Sequence, residues 1–259
     1  MAERRWDWTR KIAGTAVLAV AAALLLAGSA APARAETPAP AATEQDARAK
    51  ELLMRMAGYL ARAQSFSVTV RSGYDAIQED GERVEFGEIR RYLLQRPERM
   101  RVEMERSDGE KGMVLYDGKE ITAFKAGDNV YAKAERPGTV DGALVYLVRD
   151  LDLTLPLARM FHTSLPQQLE QLVQSVDFVE TDALFDVPVD HLAVRTAEVD
   201  CQFWIAQGEQ PLPRRVILTY KEAPGQPQFR AEFSDWNMTP DVSADRFAFT
   251  PPAGAEKVP

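Results

Sequence analysis

The side chains best suited to chemistry in this chain of 259 residues are few and far apart. It contains two histidines, His162 and His191, and one cysteine, Cys201. A metal site needs several histidine, cysteine or carboxylate ligands that converge, and these three residues are too scattered to suggest one. The sequence therefore predicts no metal site and no cofactor. We expect His162 beside a short helix, His191 inside a strand and Cys201 as a small buried side chain.

Catalytic motifs are missing from the sequence as well. It has no Gly-x-Ser-x-Gly nucleophile turn and no glycine-rich phosphate loop. Acidic residues such as Glu103 and Glu105 alternate with apolar ones, which is typical of the solvated face of a strand. We therefore expect no catalytic residues and a protein that is not an enzyme.

Two short motifs could bind a polar group. In Leu212–Arg215 the proline fixes the entry to a strand, and Arg214 and Arg215 could meet the phosphate or carboxylate headgroup of a ligand. The alternative is that both arginines balance acidic charge on a solvated sheet face. The pair Asp235–Trp236 could stack on a sugar, although a tryptophan that anchors its strand in the core is the simpler interpretation.

Residues 1–35 have the composition of a secretory signal peptide. Basic residues are followed by an apolar run over Ile12–Ala27 and by the small-residue pattern Ala33–Ala35. The run has roughly 16 residues, short of the ~20 that a membrane-spanning helix needs, so cleavage after Ala35 is favoured over a retained anchor. Ser29 stands where a lipoprotein would carry its lipidated cysteine. We therefore expect a soluble periplasmic protein without a stable membrane anchor.

Composition limits the partners and the number of domains. The chain has 31 basic and 39 acidic residues and a formal net charge of -8, which argues against nucleic acid as a partner. Its length and its 46% hydrophobic content suit one domain with a sizeable core. We assign residues 36–44 to a flexible leader and residues 45–259 to a single domain, with a helical insert at about 139–174.

The spacing of apolar residues predicts the elements of that domain. Helical spacing indicates amphipathic helices over Gln45–Gln64, over Thr139–Leu151, from Pro156 onwards and over Leu165–Val173. Two-residue alternation, interrupted by turns such as Asp80–Gly81, indicates strands. The predicted strands are Ser65–Arg71, Val84–Gln95, Arg99–Arg106, Met113–Tyr116, Glu120–Lys125, Val130–Lys133, Val176–Thr181, Asp190–Ala197, Val199–Ile205, Arg214–Tyr220, Phe229–Trp236 and a terminal edge strand over Phe247–Pro252.

This order of elements predicts an α+β fold. Strands that follow one another in sequence mostly pair as neighbours, so we expect one large antiparallel β-sheet curled into a half-barrel. The amphipathic helices need an apolar surface and should cover the concave face, whereas the other face should be solvated.

A curled sheet of this size would enclose more space than a few short helices can fill. The remaining space could form a cavity for an acyl chain, and methionines on inward faces would adapt to varied apolar ligands. The alternative is that the same residues simply pack the core. The candidate cavity-lining residues are Phe66, Val68, Met100, Val102, Met104, Leu144, Leu147, Met160, Phe161 and Phe203.

The order of several short motifs resembles a family of predicted periplasmic proteins of unknown function, which is similar to the LolA/LolB outer-membrane lipoprotein carriers. The resemblance implies an open half-barrel sheet with helices as a lid and a cavity for lipid chains, and it assigns no role to any single residue. The motifs are Asp117–Gly118, Tyr131–Ala132, Pro137–Asp141, Asp190–Ala193, Gln202–Ile205, Leu212–Arg215, Asp235–Trp236 and Phe247–Ala255.

Two functions are consistent with these features. The leading hypothesis is a periplasmic carrier that binds a lipid or lipoprotein and holds its acyl chain, or another apolar small molecule, in the half-barrel. The alternative is an envelope sensor or scaffold that binds another protein without catalysis.

Overall fold

A computed structural model describes residues 44–150, 155, 157–184 and 186–258. The predicted signal peptide, nearly all of the predicted leader and Pro156 lie outside these residues. The helices are α1 (Glu44–Arg62), α2 (Val140–Arg149) and α3 (Leu165–Leu172), with 3₁₀ helices at Ala158–Phe161 and Ala244–Phe247. The strands are β1 (Ser65–Ile77), β2 (Arg83–Gln95), β3 (Arg99–Arg106), β4 (Lys111–Tyr116), β5 (Glu120–Lys125), β6 (Val130–Glu135), β7 (Ser175–Leu184), β8 (Val187–Arg195), β9 (Val199–Ala206), β10 (Pro213–Tyr220), β11 (Gln228–Asn237) and β12 (Glu256–Lys257).

All twelve described strands form one sheet, in the order β12-β6-β5-β4-β3-β2-β1-β11-β10-β9-β8-β7. Within β1–β6 and within β7–β11, strands adjacent in sequence pair antiparallel, as expected for chains of hairpins. The two halves of the chain meet where β1 pairs antiparallel with β11, and β12 adds to β6 in parallel. The sheet is open and curled, with β7 and β12 at its two edges.

One face of the sheet carries the core. On β1, Phe66, Val68 and Val70 alternate with polar residues, and all three are buried. The register places Val68 opposite Tyr92 of β2 and Val70 opposite Phe233 of β11, so the apolar surface continues to both sides. Buried residues of α1, α2 and α3 belong to the same cluster, so the helices lie on this concave face. The predicted α+β half-barrel covered by helices is confirmed.

Local sequence explains where the helices and turns begin. The apolar stripe of α1 buries Ala49, Leu53 and Leu60. The side chain of Thr139 caps α2 by accepting the backbone N–H of Gly142 at 3.2 Å. The predicted β1–β2 turn is formed at Gly81, whose φ of 87° suits glycine because it lacks a Cβ atom.

The C-terminal segment differs from the prediction. The expected strand over Phe247–Pro252 is wrong, because a 3₁₀ helix ends at Phe247 and strand pairing begins only at Glu256. The two prolines at the end of that segment have no N–H to donate to a ladder. Phe249 instead packs on Phe124 and Tyr131, with ring centroids 5.8 and 5.3 Å apart.

The convex face is therefore solvated only in part, contrary to the expectation. Leu93 of β2 and Leu115 of β4 lie on this face, on either side of Arg101 in the register, and both are buried. Arg101 donates through Nη1 to the carbonyl oxygen of Arg246 at 3.0 Å. The C-terminal segment thus covers the outer surface of β2–β4.

A buried carboxylate connects three neighbouring strands, β1, β2 and β11, through ion pairs and a hydrogen bond. The side chain of Asp75 on β1 is 2% exposed and lies 2.9 Å from Nη1 of Arg230 and 3.3 Å from Nη1 of Arg83. It also accepts the backbone N–H of Gln228 at 2.9 Å. Burial alone would raise the pKa of Asp75, but the hydrogen bonds from Arg230 and Gln228 and the charges of both arginines outweigh it and lower the pKa overall.

Replacing Asp75 with asparagine should lower the free energy of unfolding by roughly 2–4 kcal/mol at about pH 7, because it leaves Arg230 without its buried partner. The folded-state pKa lies below the ordinary 3.8, so the carboxylate stabilises the fold above that value and the effect is lost as pH falls through the folded pKa. Urea denaturation across this pH range measures the free energy of unfolding of the wild-type protein and of Asp75→Asn. If the difference between the two free energies stays constant down to about pH 2, the lowered pKa of Asp75 is contradicted.

Replacing Leu147 with alanine should lower the free energy of unfolding by about 2–5 kcal/mol, because truncating a buried leucine leaves a void. Leu147 is 2% exposed, whereas Val145 on the same helix is 42% exposed. Val145→Ala is the control and should cost less than about 0.5 kcal/mol. Equal losses of unfolding free energy in Leu147→Ala and Val145→Ala, measured by urea denaturation, would mean that α2 does not pack against the sheet through Leu147.

Candidate ligand-binding site

Most residues predicted to line a cavity lie in the packed core. Nine of the ten are at most 7% exposed, namely Phe66, Val68, Met100, Val102, Leu144, Leu147, Met160, Phe161 and Phe203. The ring centroid of Phe161 lies 5.4 Å from that of Phe66 and 4.8 Å from that of Tyr92, so the 3₁₀ helix packs directly on β1 and β2. Met104 differs from the other nine because it is half-buried.

Beyond this packed region the concave face continues with apolar side chains that are only half-buried. The register pairs Tyr74 with Phe86 and with Phe229, and it pairs Leu218 with Phe229 and with Cys201, so these residues share one face. We call this surface the apolar margin. Its half-buried members are Tyr74, Phe86, Met104, Cys201, Leu218 and Tyr220. The apolar margin is where the concave face retains apolar surface next to a filled core.

A charged pair lies on the concave face beside the apolar margin. Arg90 of β2 stands between Val70 of β1 and Met104 of β3 in the register. Its Nη2 atom lies 2.8 and 3.1 Å from the two carboxylate oxygens of Glu88, and the two side chains are only 12% and 9% exposed. The guanidinium also forms a side-chain hydrogen bond with Tyr92. Charged groups at this depth are costly to bury unless they are paired, and this pair is enclosed by apolar neighbours.

The pair leaves one buried donor without a partner. The Nε atom of Arg90 is inaccessible to solvent and has no hydrogen-bond acceptor. Burial would lower the pKa of Arg90, but the carboxylate of Glu88 opposes this effect, and the guanidinium is charged. Burial raises the pKa of the Tyr92 phenol, which therefore stays neutral.

Sequence reasoning missed this pair although a signal was present. Phe86, Glu88, Arg90, Tyr92 and Leu94 occupy every second position of β2 and share one face. Two charges interrupt an apolar series on the buried side of a central strand. Such an interruption is the feature that could have identified the site.

The predicted headgroup residues lie elsewhere. Arg215 pairs in register with Trp204, and its guanidinium carbon lies 5.3 Å from the centroid of that ring. Trp204 alternates with core residues along β9 and therefore faces the convex side, where His191 stacks on it at 3.9 Å. Arg214 lies at the register shift between Pro213 and Arg215. Arg215 thus faces away from the apolar margin.

A serine, a histidine and an aspartate meet at the start of α3. The hydroxyl oxygen of Ser164 lies 2.7 Å from Nδ1 of His162, and a carboxylate oxygen of Asp141 lies 3.7 Å from the same atom. In a catalytic triad the serine and the acid engage opposite ring nitrogens. Here Nδ1 also accepts the backbone N–H of Ser164 at 3.1 Å, so His162 orders the helix start. This is not the geometry of a hydrolase.

The other residues singled out in the sequence have structural contacts. Nε2 of His191 lies 3.1 Å from Oε1 of Gln202. The indole N–H of Trp236 donates to the carbonyl oxygen of Pro213 at 3.0 Å, and its ring lies 5.6 Å from that of Phe66. Within the described residues, no group of three or more histidine, cysteine or carboxylate side chains is placed to hold a metal ion.

A groove of about 620 Å³ opens between the N-terminal end of α1 and β7. It is lined by Glu44, Gln45, Arg48 and Phe178. The guanidinium carbon of Arg48 lies 5.9 Å from the centroid of the Phe178 ring. Three of these four lining residues are polar or charged, and Phe178 supplies an apolar ring.

Residues 49–259 match a protein family described as a predicted periplasmic protein, DUF2092. The chain belongs to this family. A comparison with curated proteins gave no match. Of the helices in the described part of the chain, none combines the length and the apolar character that crossing a membrane requires.

Several solved structures are similar to the chain. An uncharacterized conserved protein from Thermus thermophilus has 13% identity and a TM-score of 0.46 over 82% of this chain and 98% of that one. The MucA/MucB complex of Pseudomonas aeruginosa has 18% identity and a TM-score of 0.43. The match covers 78% of this chain and 61% of that one, so the chain spans less than two thirds of that relative. The lipoprotein LppX of Mycobacterium tuberculosis has 12% identity and a TM-score of 0.46, and the match covers 76% of this chain and 100% of that one.

Cys201, in the apolar margin, should be almost unreactive in the folded protein. It is a free thiol, and burial raises its pKa to about 12, so very little thiolate exists at about pH 8. Ellman's reagent should label the native protein at least about a hundredfold more slowly than the urea-unfolded chain. Equal rates, followed by absorbance, would mean that Cys201 lies open to solvent.

Proposed function

We propose that this protein is a non-enzymatic periplasmic carrier that holds the acyl chain of a lipid, or a similar apolar ligand, against the apolar margin. The signal peptide would be removed after Ala35 before the chain reaches the periplasm. The observation that carries the proposal is the half-buried apolar surface on the concave face, which flanks buried Phe229 on both sides and lies directly beside a packed core. Apolar surface that stays partly accessible and is bounded by polar residues is typical of ligand-binding grooves.

The energetics favour a chain-like ligand over a compact one. Each methylene group transferred from water to an apolar surface contributes about 0.8 kcal/mol. The row from Phe86 through Tyr74 and Phe229 to Leu218 and Cys201 crosses five adjacent strands. Phe229 in its middle is buried, and an extended chain across the row can contact the half-buried side chains on both sides of it. Affinity should therefore rise with acyl chain length. The adaptable thioether of Met104 lies on the same face.

Replacing Leu218 with glutamine should weaken binding of the neutral fluorescent probe N-phenylnaphthylamine roughly tenfold, because it places an amide in the apolar margin. Ile217 is also half-buried, but it is the next residue on β10 and points to the convex face. Ile217→Gln is the matched control and should bind like the wild-type protein. Probe fluorescence titrated against each protein measures the dissociation constants.

Two results would contradict the proposal. One is a wild-type protein, stripped of co-purified lipid, that binds neither the probe nor any long-chain alcohol. The other is a loss of binding in Ile217→Gln that equals the loss in Leu218→Gln. The second result would place the probe away from the concave face.

A second candidate function is binding of another protein at β7. This strand pairs only with β8 among the described strands, and residues 179–183 along it are exposed. Val179 is 48% exposed, and an unpaired strand edge can accept a strand from a partner. A stable protein complex that forms without bound lipid and is lost on Val179→Asp would favour this function over carriage.

A further inference from the structure

We infer that the ligand is an amphiphile with an anionic headgroup, a carboxylate or a phosphate, and that Arg90 binds this headgroup. This inference rests on the proposed function, since it names the chemical class of the ligand held at the apolar margin. The concave face holds a charged guanidinium where its neighbours in the register, Val70 and Met104, are apolar. A chain lying on the apolar margin would bring its polar end to this position.

An anion that displaces Glu88 from Arg90 would gain a donor that Glu88 does not use. Both carboxylate oxygens of Glu88 contact Nη2, at 2.8 and 3.1 Å, whereas Nε is buried and without an acceptor. A buried donor without an acceptor is unfavourable, and an incoming oxygen would remove that cost. Nε and Nη2 lie on the same edge of the guanidinium. A carboxylate or phosphate at this edge would accept from both atoms in the bidentate geometry that arginine favours.

Glu88 has an alternative partner when a ligand anion takes its place at Arg90. In the register Glu88 lies opposite Ser72 of β1 on one side and opposite Arg106 of β3 on the other. Directly opposed residues on antiparallel strands have Cβ atoms about 5 Å apart, within reach of a glutamate–arginine pair. Arg106 lies nearer the solvent, where Glu110 contacts its Nη1 at 3.3 Å. Arg106 is therefore the basic residue to which Glu88 could turn when the ligand takes its place at Arg90, although Arg106 also contacts Asp108 at 3.9 Å.

The test compares three ligands with the same alkyl chain on the exported protein after lipid removal. Hexadecanol reports the apolar margin alone, palmitate adds a carboxylate, and hexadecyl phosphate adds a phosphate. Displacement of N-phenylnaphthylamine gives each dissociation constant at neutral pH. We expect at least one anion to bind about tenfold or more tightly than hexadecanol, and the tighter anion identifies the headgroup.

The decisive variant is Glu88→Gln/Arg90→Met, which removes both charges together so that neither is left buried alone. It should bind hexadecanol like the wild-type protein and lose the preference for the anion. Arg91→Met is the matched control, because Arg91 is the next residue on β2, is exposed and points to the convex face. It should keep the preference.

The outcomes separate the two proposals. Binding of hexadecanol with equal affinity for the anions overturns the role of Arg90 and leaves the carrier function standing. A preference that persists in Glu88→Gln/Arg90→Met, with its fold verified by circular dichroism, also overturns it. Failure of all three ligands to bind overturns both proposals.

Discussion

The structure depends on covering one apolar face of a long, curled sheet with three helices. β1 has 13 residues and spans about 43 Å, whereas α1 has 19 residues and is about 28 Å long, and α2 has 10 residues and is about 15 Å long. The 3₁₀ helix Ala158–Phe161 adds one turn more. Where these elements reach, aromatic and aliphatic side chains pack closely around Phe66 and Phe161. Where they do not reach, the concave face keeps the half-buried apolar margin.

The polar groups of the concave face are placed where this cover ends. Along β2 the inward residues change from Leu94 and Tyr92 in the packed region to Arg90 and Glu88 beside the apolar margin. Charges at the packed end would be enclosed by the helices without water or partners. At the boundary they remain paired with each other, and they give the face an apolar part and an ionic part. This division is the physical basis of the proposal that the ligand is amphiphilic.

Much of the fold could be predicted because alternation reports which side of a strand is buried. It located β1 to β11 and the insert helices, and it placed Phe66 and Val68 inward. It could not report how far along the sheet the helices extend, because that depends on packing between distant segments. Nine predicted cavity residues therefore lie in the packed core between the sheet and the helices, and the half-buried surface lies further along the strands.

The remaining differences have equally local causes. The alternation of Phe247 and Phe249 suggested a strand, but both rings anchor the C-terminal segment on the convex face and prolines follow them. Glu88 and Arg90 were missed because charged residues in a strand are usually solvated, although their alternation with Tyr92 and Leu94 places them on the buried face, as the register with β1 and β3 shows. Arg215 was singled out by its motif, but its position in the register turns it to the convex face against Trp204.

The most direct measurement of the central claim is photocrosslinking with a long-chain alcohol that carries a diazirine near its end, followed by peptide mass spectrometry. If an apolar ligand occupies the apolar margin, the label will be found on β1, β9 and β10 at Tyr74, Cys201 or Leu218, and excess unlabelled alcohol will prevent it. Label confined to the convex face around Trp204, or label that unlabelled alcohol does not displace, would contradict the account.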